Sequence, residues 1–590
     1  MCGIFGYAGT KINAADLVLS GLKKLEYRGY DSWGVAAVPL DYASIVLKKK
    51  AGKIGDAHVR DLPKSSLAFG HTRWATHGGV TDTNAHPHLD CTGKIAIIHN
   101  GIFENYETVK KDLLKKGHRF VSQTDTEVAV HLIEQYAKTM ALSKAVQKAF
   151  NQMEGLNAII VLNIADHQLI AARNGSPLVV GFGDKENFLA SDAAALLSHT
   201  RQVHYLEDDE MAIIGKNGIM LFNAKTGSSI KPKKQTLTWN AAAAEKGDYP
   251  DFMSKEIREQ PQMIADIAAS GVSQAARVVT SLKKTSHIYV IGCGSASYTA
   301  IAGEYLFSKI AKRQVNAAIA SEFGYHLDFL TPKSTVIAIS QSGETMDILE
   351  SIKKAKAKGA KIVALVNVLG STLYRESHDK ILIGVGPEIS VASTKALTGM
   401  LSHLTLLAYA VAGKSDEGAR VLILAAKSVK NILTEKNIAR IRSLAKRMST
   451  VEHMYTIGRG LSYPAALEAA MKIKEISYIH AEGLAAGELK HGPLALVTRG
   501  TPCIAFLPDD ETYGANLAGA MEMKARGGYI VGISHKPHEV FDCYLPVTDA
   551  KEATIIPNIV VSQLLAYYLT VERGLNVDMP RNLAKSVTVK

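Results

Sequence analysis

At 590 residues, 47% hydrophobic and 21% charged, the chain has a globular composition and room for about four domains. With a mean hydropathy of +0.03 and no apolar run approaching ~20 residues, no membrane span is expected, and no basic-then-apolar leader opens the chain, so the expected compartment is the cytoplasm. The net charge of +12 comes from scattered lysines, clustered only at Lys48–Lys50 and Lys231–Lys234, and without a basic stripe interleaved with aromatics nucleic acid is not an expected partner.

Residues 2–240 alternate short apolar runs with Gly-rich turns, a strand signal, at Cys2–Ala8, Gly34–Val38, Leu67–Gly70 and Lys94–His99. Amphipathic patterns predict helices over Phe103–Lys116 and Thr126–Ala137, giving a layered α+β domain. Lys231–Pro250 is polar, with the run Ala241–Ala244, Gly247 and Pro250, and reads as a linker centred on 241–250. From Asp251 the texture becomes apolar strand, Gly turn and long helix, repeated, the pattern of a doubly wound α/β sheet. Met400–Gly413, interrupted by His403, reads as a buried helix.

This second part repeats itself. His287-Ile-Tyr-Val-Ile-Gly-Cys-Gly-Ser overlays His453-Met-Tyr-Thr-Ile-Gly-Arg-Gly-Leu-Ser, and nearly the same offset aligns Val336-Ile-Ala-Ile with Cys503-Ile-Ala-Phe. Two matches in one register predict a duplicated α/β domain, at 280–415 and 450–570, with a helical connector between the copies and a basic tail over 571–590.

Met1-Cys2-Gly3-Ile4 carries the most chemistry. Removal of Met1 makes Cys2 the first residue, with a thiol and a free α-amine on one residue. The amine, with an ordinary pKa of about 8, can accept the thiol proton near neutral pH. Taken alone, Cys2 reads equally well as a small buried strand residue. The five cysteines, Cys2, Cys91, Cys293, Cys503 and Cys543, are far apart and form no CxxC pair, which argues against a disulfide framework and against structural zinc. His71, His77, His86, His88 and Cys91 are close in sequence, but no pair has a zinc spacing, so no metal is expected.

Five ordered motifs follow Cys2: Arg28-Gly-Tyr-Asp-Ser, His71-Thr-Arg-Trp-Ala-Thr-His-Gly, Asn84-Ala-His-Pro-His, His99-Asn-Gly-Ile and Thr124-Asp-Thr-Glu. Together they resemble the glutaminase domain of class II glutamine amidotransferases, which are N-terminal nucleophile hydrolases. The resemblance implies Cys2 as nucleophile, and an oxyanion hole made by the Asn100 side chain and the Gly101 backbone N–H. It implies Arg73 on the α-carboxylate of glutamine, Asp125 on its α-ammonium, and Trp74 and His77 shaping and closing the pocket. Trp33 stands where that family usually has Ala, and is expected to alter the packing of a loop near the pocket.

In the second part, Thr335–Thr345 followed by the helical Met346–Lys358 reads as strand, Ser-rich loop and helix start, suited to a phosphate. It is not a nucleotide P-loop, since no Gly-Lys-Ser/Thr is present. Simple helix capping by Ser342, and by Ser393 in Val391-Ala-Ser-Thr-Lys, is the plainer reading of each loop. Pro464 opens a helical stretch on which Glu468, Lys472 and Glu475 share one face; spacing alone favours a solvated Glu–Lys ladder.

Both copies resemble sugar isomerase domains, and the whole chain resembles the amidotransferase family that aminates fructose 6-phosphate. Ser340–Thr345, Glu388–Lys395, Lys474–Glu482, Gly487–Leu494 and the ending Pro580–Val589 carry that resemblance. It implies glutamine and fructose 6-phosphate as substrates, glucosamine 6-phosphate as product, no cofactor, and a homodimer. Ser340, Gln341, Ser342 and Thr345 would bind the phosphate, and Ser295, Val391 and Ser393 would line the sugar. His491, reaching a neighbouring subunit's site, would assist ring opening, Lys585 would form an imine at C2, and Glu475, with Lys472 nearby, would move the proton between C1 and C2. Ala296 replaces a serine common in the family, which removes one expected hydroxyl contact to the sugar.

Two alternatives differ in class. A phosphoribosyl amidotransferase or asparagine synthetase would need a Gly-Thr phosphate segment after Phe506–Thr512, or a Ser-Gly-Gly-x-Asp-Ser loop, and neither occurs. A non-catalytic sugar-phosphate sensor would usually carry a helix-turn-helix domain in place of the glutaminase.

Overall fold

The computed structural model describes residues 2–41, 44–165, 167–216, 218–237 and 245–587. The chain forms two compact units, one of residues 1–245 joined by residues from Ala584 onward, the other spanning Lys246–Leu583.

The first unit stacks two antiparallel sheets, of eight and seven strands, between helices. Period-2 alternation sends successive side chains to opposite faces. In strand Gly3–Gly9, Ile4 and Ala8 enter the core between the sheets with Ile98 and Ile160, while Phe5 and Tyr7 face Val18 and Leu22 of helix Ala14–Leu25. On the far side Ile97 and Ile159 meet Val128, Ile133 and Phe150 of helices Asp125–Ala137 and Leu142–Gln152. Strands covered on both faces are buried throughout, which is why Leu67–Arg73 and Ile95–Gly101 read as apolar runs.

The register builds the site. Strand Gly3–Gly9 pairs with Leu67–Arg73, setting Gly3 opposite Thr72 and Cys2 beside the 73–79 loop. Helix Asp125–Ala137 is capped by the Thr124 hydroxyl, which accepts from the Glu127 N–H. The linker expected from Lys231 begins later. Gln235–Thr236 pairs with Gln202–Tyr205, and apolar Leu237 is buried in the core; Ala241–Ala244 lie outside the described residues. Trp33 is buried in strand Ser32–Ala37, in the core that also takes Ile54 and Val59, so it packs the sheet face rather than reshaping a pocket loop.

The second unit holds two five-stranded parallel sheets of identical topology. In each, the first strand (His287–Gly292; His453–Gly458) lies between the second (Asn316–Ile319; His480–Ala485) and the third (Ser334–Ser340; Pro502–Leu507), and the fourth and fifth follow outward. The order 2-1-3-4-5 reverses direction between strands one and three, so the loops after His287–Gly292 and Ser334–Ser340 border the crevice where such sheets bind ligands. Helices Ser415–Ile432 and Glu435–Met448 join the copies. Helix Phe252–Lys283, 32 residues long, packs on helix Lys395–Val411, the expected buried helix.

Among the described residues one stretch, Lys551–Glu572, is long and apolar enough by composition to cross a membrane, with a mean hydropathy of 1.4. Within the fold, 89% of its apolar 18-residue window is buried, and the helix packs against helices Ser462–Ser477 and Glu435–Met448, so it serves as a core helix.

Candidate active site

In the first unit Trp74 and Asn100 contact Cys2 directly. The Trp74 backbone N–H points at Cys2 Sγ at 3.2 Å, and the Asn100 side-chain amide donates to the Cys2 carbonyl at 3.1 Å. Burial pushes the Cys2 thiol pKa up, opposed by the N-terminal amine, the Trp74 N–H and Arg73. The thiol therefore needs a base to ionise.

Asn100 is aimed by a residue that the sequence motifs contain but do not explain. His71 Nε2 lies 3.1 Å from Asn100 Oδ1 and 2.9 Å from the His99 carbonyl. Both are acceptors, so Nε2 carries the proton, and the Asn100 NH2 group faces Cys2. Burial lowers the His71 pKa to about 3, which keeps the ring neutral. Gly101 has φ +126°, and a Cβ there would meet the Leu156 carbonyl oxygen at 2.0 Å, so only glycine fits.

Asp125 is buried at the start of its helix, where it accepts from the N–H groups of Phe103 (2.8 Å) and Thr126 (3.0 Å), with His99 Nδ1 at 3.9 Å. Arg73 is also buried; its guanidinium donates to the carbonyls of His77, Gly78 and Gly79, closing its own loop. The Ala75 N–H donates to Asp31, anchoring the other end. Trp74 meets Tyr30 edge-on at 5.8 Å, and the His77 ring meets Tyr106 at 5.4 Å, so two aromatic pairs flank the loop. His71, His86 and His88 lie in a buried row, the first pair tilted and the second edge-to-face, whereas Cys91 packs beside His118 and His131.

In the second unit the loop 340–345 follows the third strand. The Ser340 hydroxyl accepts from the Gly343 N–H at 2.9 Å and lies 3.2 Å from Thr345 Oγ1; Ser342 accepts from the Glu344 N–H, with Gln341 half-exposed beside it. The capping readings do not hold. Thr345 and Thr394 are the N-cap residues and their own side chains make no cap bond; the serines of the first loop accept from N–H groups of that loop, and at the second helix Glu388 accepts from the N–H groups of Thr394 and Ala396. The Val391 N–H donates to the Asp578 carbonyl, and the Asp578 carboxylate accepts from the N–H groups of Phe252 and Met253. Ser393, half-buried, lies just before the N-cap of helix Lys395–Val411. Ala296 is buried against Gly292 in the packed helix start, a position with little room to offer a sugar a hydroxyl.

The solvated-ladder reading of helix Ser462–Ser477 is overturned. Glu468 and Lys472 are completely buried; Lys472 Nζ sits 3.5 Å from Glu468 Oε1 and contacts Glu475 directly. Ser295 Oγ, from the first copy, donates to Glu468 Oε1 at 3.1 Å. Burial raises the Glu468 pKa to about 7, against the pull of Lys472. Burial also disfavours the Lys472 charge, but Glu468 and Glu475 outweigh it and hold that pKa up. Glu475 is the half-exposed member, at the edge of a dry charge cluster shared by the two copies. His491 is exposed at the end of a short 3₁₀ turn. Lys585 falls beyond Leu583, the last residue of this unit.

Comparison with known proteins follows the same division. The SIS domain family matches residues 281–410 and 448–573, and the glutamine amidotransferase domain family matches 71–198. A glutamine–fructose-6-phosphate aminotransferase (isomerising) of Pyrococcus horikoshii is 43% identical, with all of both chains covered. One of Caldanaerobacter subterraneus is 41% identical, again over the full length of both. Among solved structures, the C-terminal domain of a glucosamine-fructose-6-phosphate aminotransferase from Francisella tularensis is 33% identical with a TM-score of 0.52, covering 57% of this chain and 99% of that one. Identity above 40% across whole chains, with two SIS domains following an amidotransferase domain, places this chain in the glutamine–fructose-6-phosphate aminotransferase (isomerising) family.

Proposed function

We propose that this chain hydrolyses glutamine at Cys2 and transfers the ammonia to fructose 6-phosphate, with isomerisation, giving glucosamine 6-phosphate and glutamate. The observation that carries the glutaminase reading is the buried Asn100 amide, oriented by His71 and donating beside the Cys2 thiol. After Met1 is removed, the Cys2 α-amine takes the thiol proton and Sγ attacks the side-chain carbonyl carbon of glutamine. The Asn100 NH2 and the Gly101 N–H receive the oxyanion, each donor worth about 3 kcal/mol. The protonated amine then gives its proton to the departing ammonia, and water, activated by the same amine, cleaves the thioester to glutamate. Arg73 would turn its guanidinium to the glutamine α-carboxylate and Asp125 would accept from its α-ammonium, with Trp74 and His77 covering the pocket.

For the sugar half, Ser340, Gln341, Ser342 and Thr345 present hydroxyls, an amide and backbone N–H groups at a helix N-terminus to the phosphate. Ser295, Val391 and Ser393 line the sugar. His491 assists ring opening, and its exposure supports a role in a partner subunit's site within a homodimer. Lys585 condenses with C2 of the open ketose, releasing water. Ammonia then displaces the lysine amine from C2, and Glu475 moves a proton from C1 to C2 while the C1 hydroxyl proton passes to the C2 nitrogen, restoring an aldose with the amine at C2. Lys472 contacts Glu475 directly and holds its carboxyl group in place. The composition and the burial of Lys551–Glu572 support a cytoplasmic setting.

The test is direct: glutamine and fructose 6-phosphate are supplied together and both products measured. Equal glutamate and glucosamine 6-phosphate is the expected outcome; glutamate formation without amino sugar overturns the reading.

A further inference from the structure

Cys91, His118, His131 and Glu134 come from three separated segments: the turn after strand His88–Leu89, the chain after helix Tyr106–Lys115, and helix Asp125–Ala137. Their donor atoms all lie within 4.8 Å of one another, and the two imidazoles and the carboxylate are buried. Cys91 Sγ is 3.9 Å from His118 Nδ1 and 3.5 Å from His131 Nδ1, and each Nδ1 is 3.0 Å from the same oxygen, Glu134 Oε2.

The outer contacts decide what these atoms do. His118 Nε2 is 3.0 Å from Gln135 Oε1, and His131 Nε2 is 3.8 Å from Glu127 Oε1. Gln135 therefore offers His118 Nε2 an acceptor, so that its Nδ1 can serve as a ligand atom, while His131 Nε2 has no hydrogen-bond partner and its Nδ1 also turns inward. Inside they meet a carboxylate oxygen and a sulfur that already receives the Arg119 N–H at 3.4 Å. Protons on Nδ1 satisfy the carboxylate when the centre is empty, and a cation that replaces them gains both Nδ1 atoms, Glu134 Oε2 and the sulfur as ligands. A tetrahedral Zn²⁺ with bonds of about 2.3 Å to sulfur and about 2.0–2.1 Å to nitrogen sets donor atoms about 3.3–3.6 Å apart, close to the spacing here.

We propose that Cys91, His118, His131 and Glu134 form a structural zinc site that fastens helix Asp125–Ala137 to the turn after His88–Leu89. One thiolate, two imidazoles and one carboxylate suit zinc, and four protein ligands leave no position for a substrate. Cys91 is at the surface, giving the ion an entry path. The same helix starts at Asp125, so the ion would brace the glutamine pocket from behind, as a positioning element.

The experiment uses tag-free full-length protein purified without chelator, with metal content measured by mass spectrometry after gel filtration. About one zinc per chain is expected. Cobalt(II) exchanged into the site should show a thiolate-to-cobalt charge-transfer band with tetrahedral d–d bands. That band should survive Cys2→Ala and vanish in Cys91→Ser, while His131→Gln should lose bound metal. Zinc should raise the melting temperature of wild type and leave that of Cys91→Ser unmoved. Folded wild type that retains neither zinc nor cobalt overturns the proposal, as does a charge-transfer band that persists in Cys91→Ser.

Discussion

His71 Nε2 stands 3.1 Å from Asn100 Oδ1, and this contact decides which end of the Asn100 amide faces Cys2. A rotated amide would present its oxygen to a developing oxyanion and repel it. Replacing Asn100 with Ala should lower kcat for glutamine hydrolysis by about 10²–10³. His71→Leu leaves the amide in place but free to rotate, so its kcat should fall by a smaller factor, with KM for glutamine nearly unchanged. A rise in KM at constant kcat would show that His71 serves binding instead of orientation.

The raised pKa of the Cys2 thiol makes the α-amine indispensable as base. Active protein should therefore begin at Cys2, which intact mass spectrometry reads directly. A variant that retains one residue before Cys2 loses the general base, and its glutaminase kcat should drop by about 10²–10⁴. Fructose 6-phosphate isomerisation should persist in that variant and in Cys2→Ala, because the sugar-site candidates other than Lys585 lie in a separate compact unit.

The local motifs were readable because strand, loop and chemistry sit together in sequence, as in His99-Asn100-Gly101. The duplicated sheets were readable for the same reason: each copy repeats one strand-and-glycine signature. Glu468 and Lys472 were misread because the spacing of a solvated ladder and of a buried cluster is identical. What separates them is the cover supplied by helix Lys551–Glu572 and by Ser295, both distant in sequence. Cys91 and its neighbours escaped for a similar reason. Their ligand atoms meet only when three segments fold together, so no short spacing announces them.

Burial of Glu468 beside Lys472 gives a prediction about pH. Its pKa rises from 4.5 to about 7 on folding, so between those values the folded chain binds more protons than the unfolded one. Its contribution to stability is fully present below pH 4.5 and is lost as pH rises to 7. Glu468→Gln should flatten that slope between pH 5 and 7, measured by denaturant unfolding of the second unit. Lys472→Met leaves Glu468 and Glu475 without their cation and should cost about 3–5 kcal/mol. Joining Glu468→Gln to Lys472→Met should return much of that loss. Simple additivity of the two would mean that the pair is not coupled.

The imine assigned to Lys585 is the step that separates amination from simple sugar binding. A lysine amine condenses with a ketose carbonyl through its neutral lone pair, with loss of water. Borohydride added with fructose 6-phosphate should reduce the imine to a stable secondary amine, and the peptide holding Lys585 should gain the mass of the sugar phosphate. The label should need open-chain ketose, and so be absent with a 2-deoxy polyol phosphate that has no carbonyl. Lys585→Arg keeps the charge but cannot form the imine. It should lose glucosamine 6-phosphate synthesis while retaining basal glutamine hydrolysis at Cys2. A label on another lysine, with Lys585→Arg still making amino sugar, removes Lys585 from the reaction. A labelled Lys585 in Ser340→Ala at undiminished sugar affinity would keep the imine but move the phosphate away from the 340–345 loop.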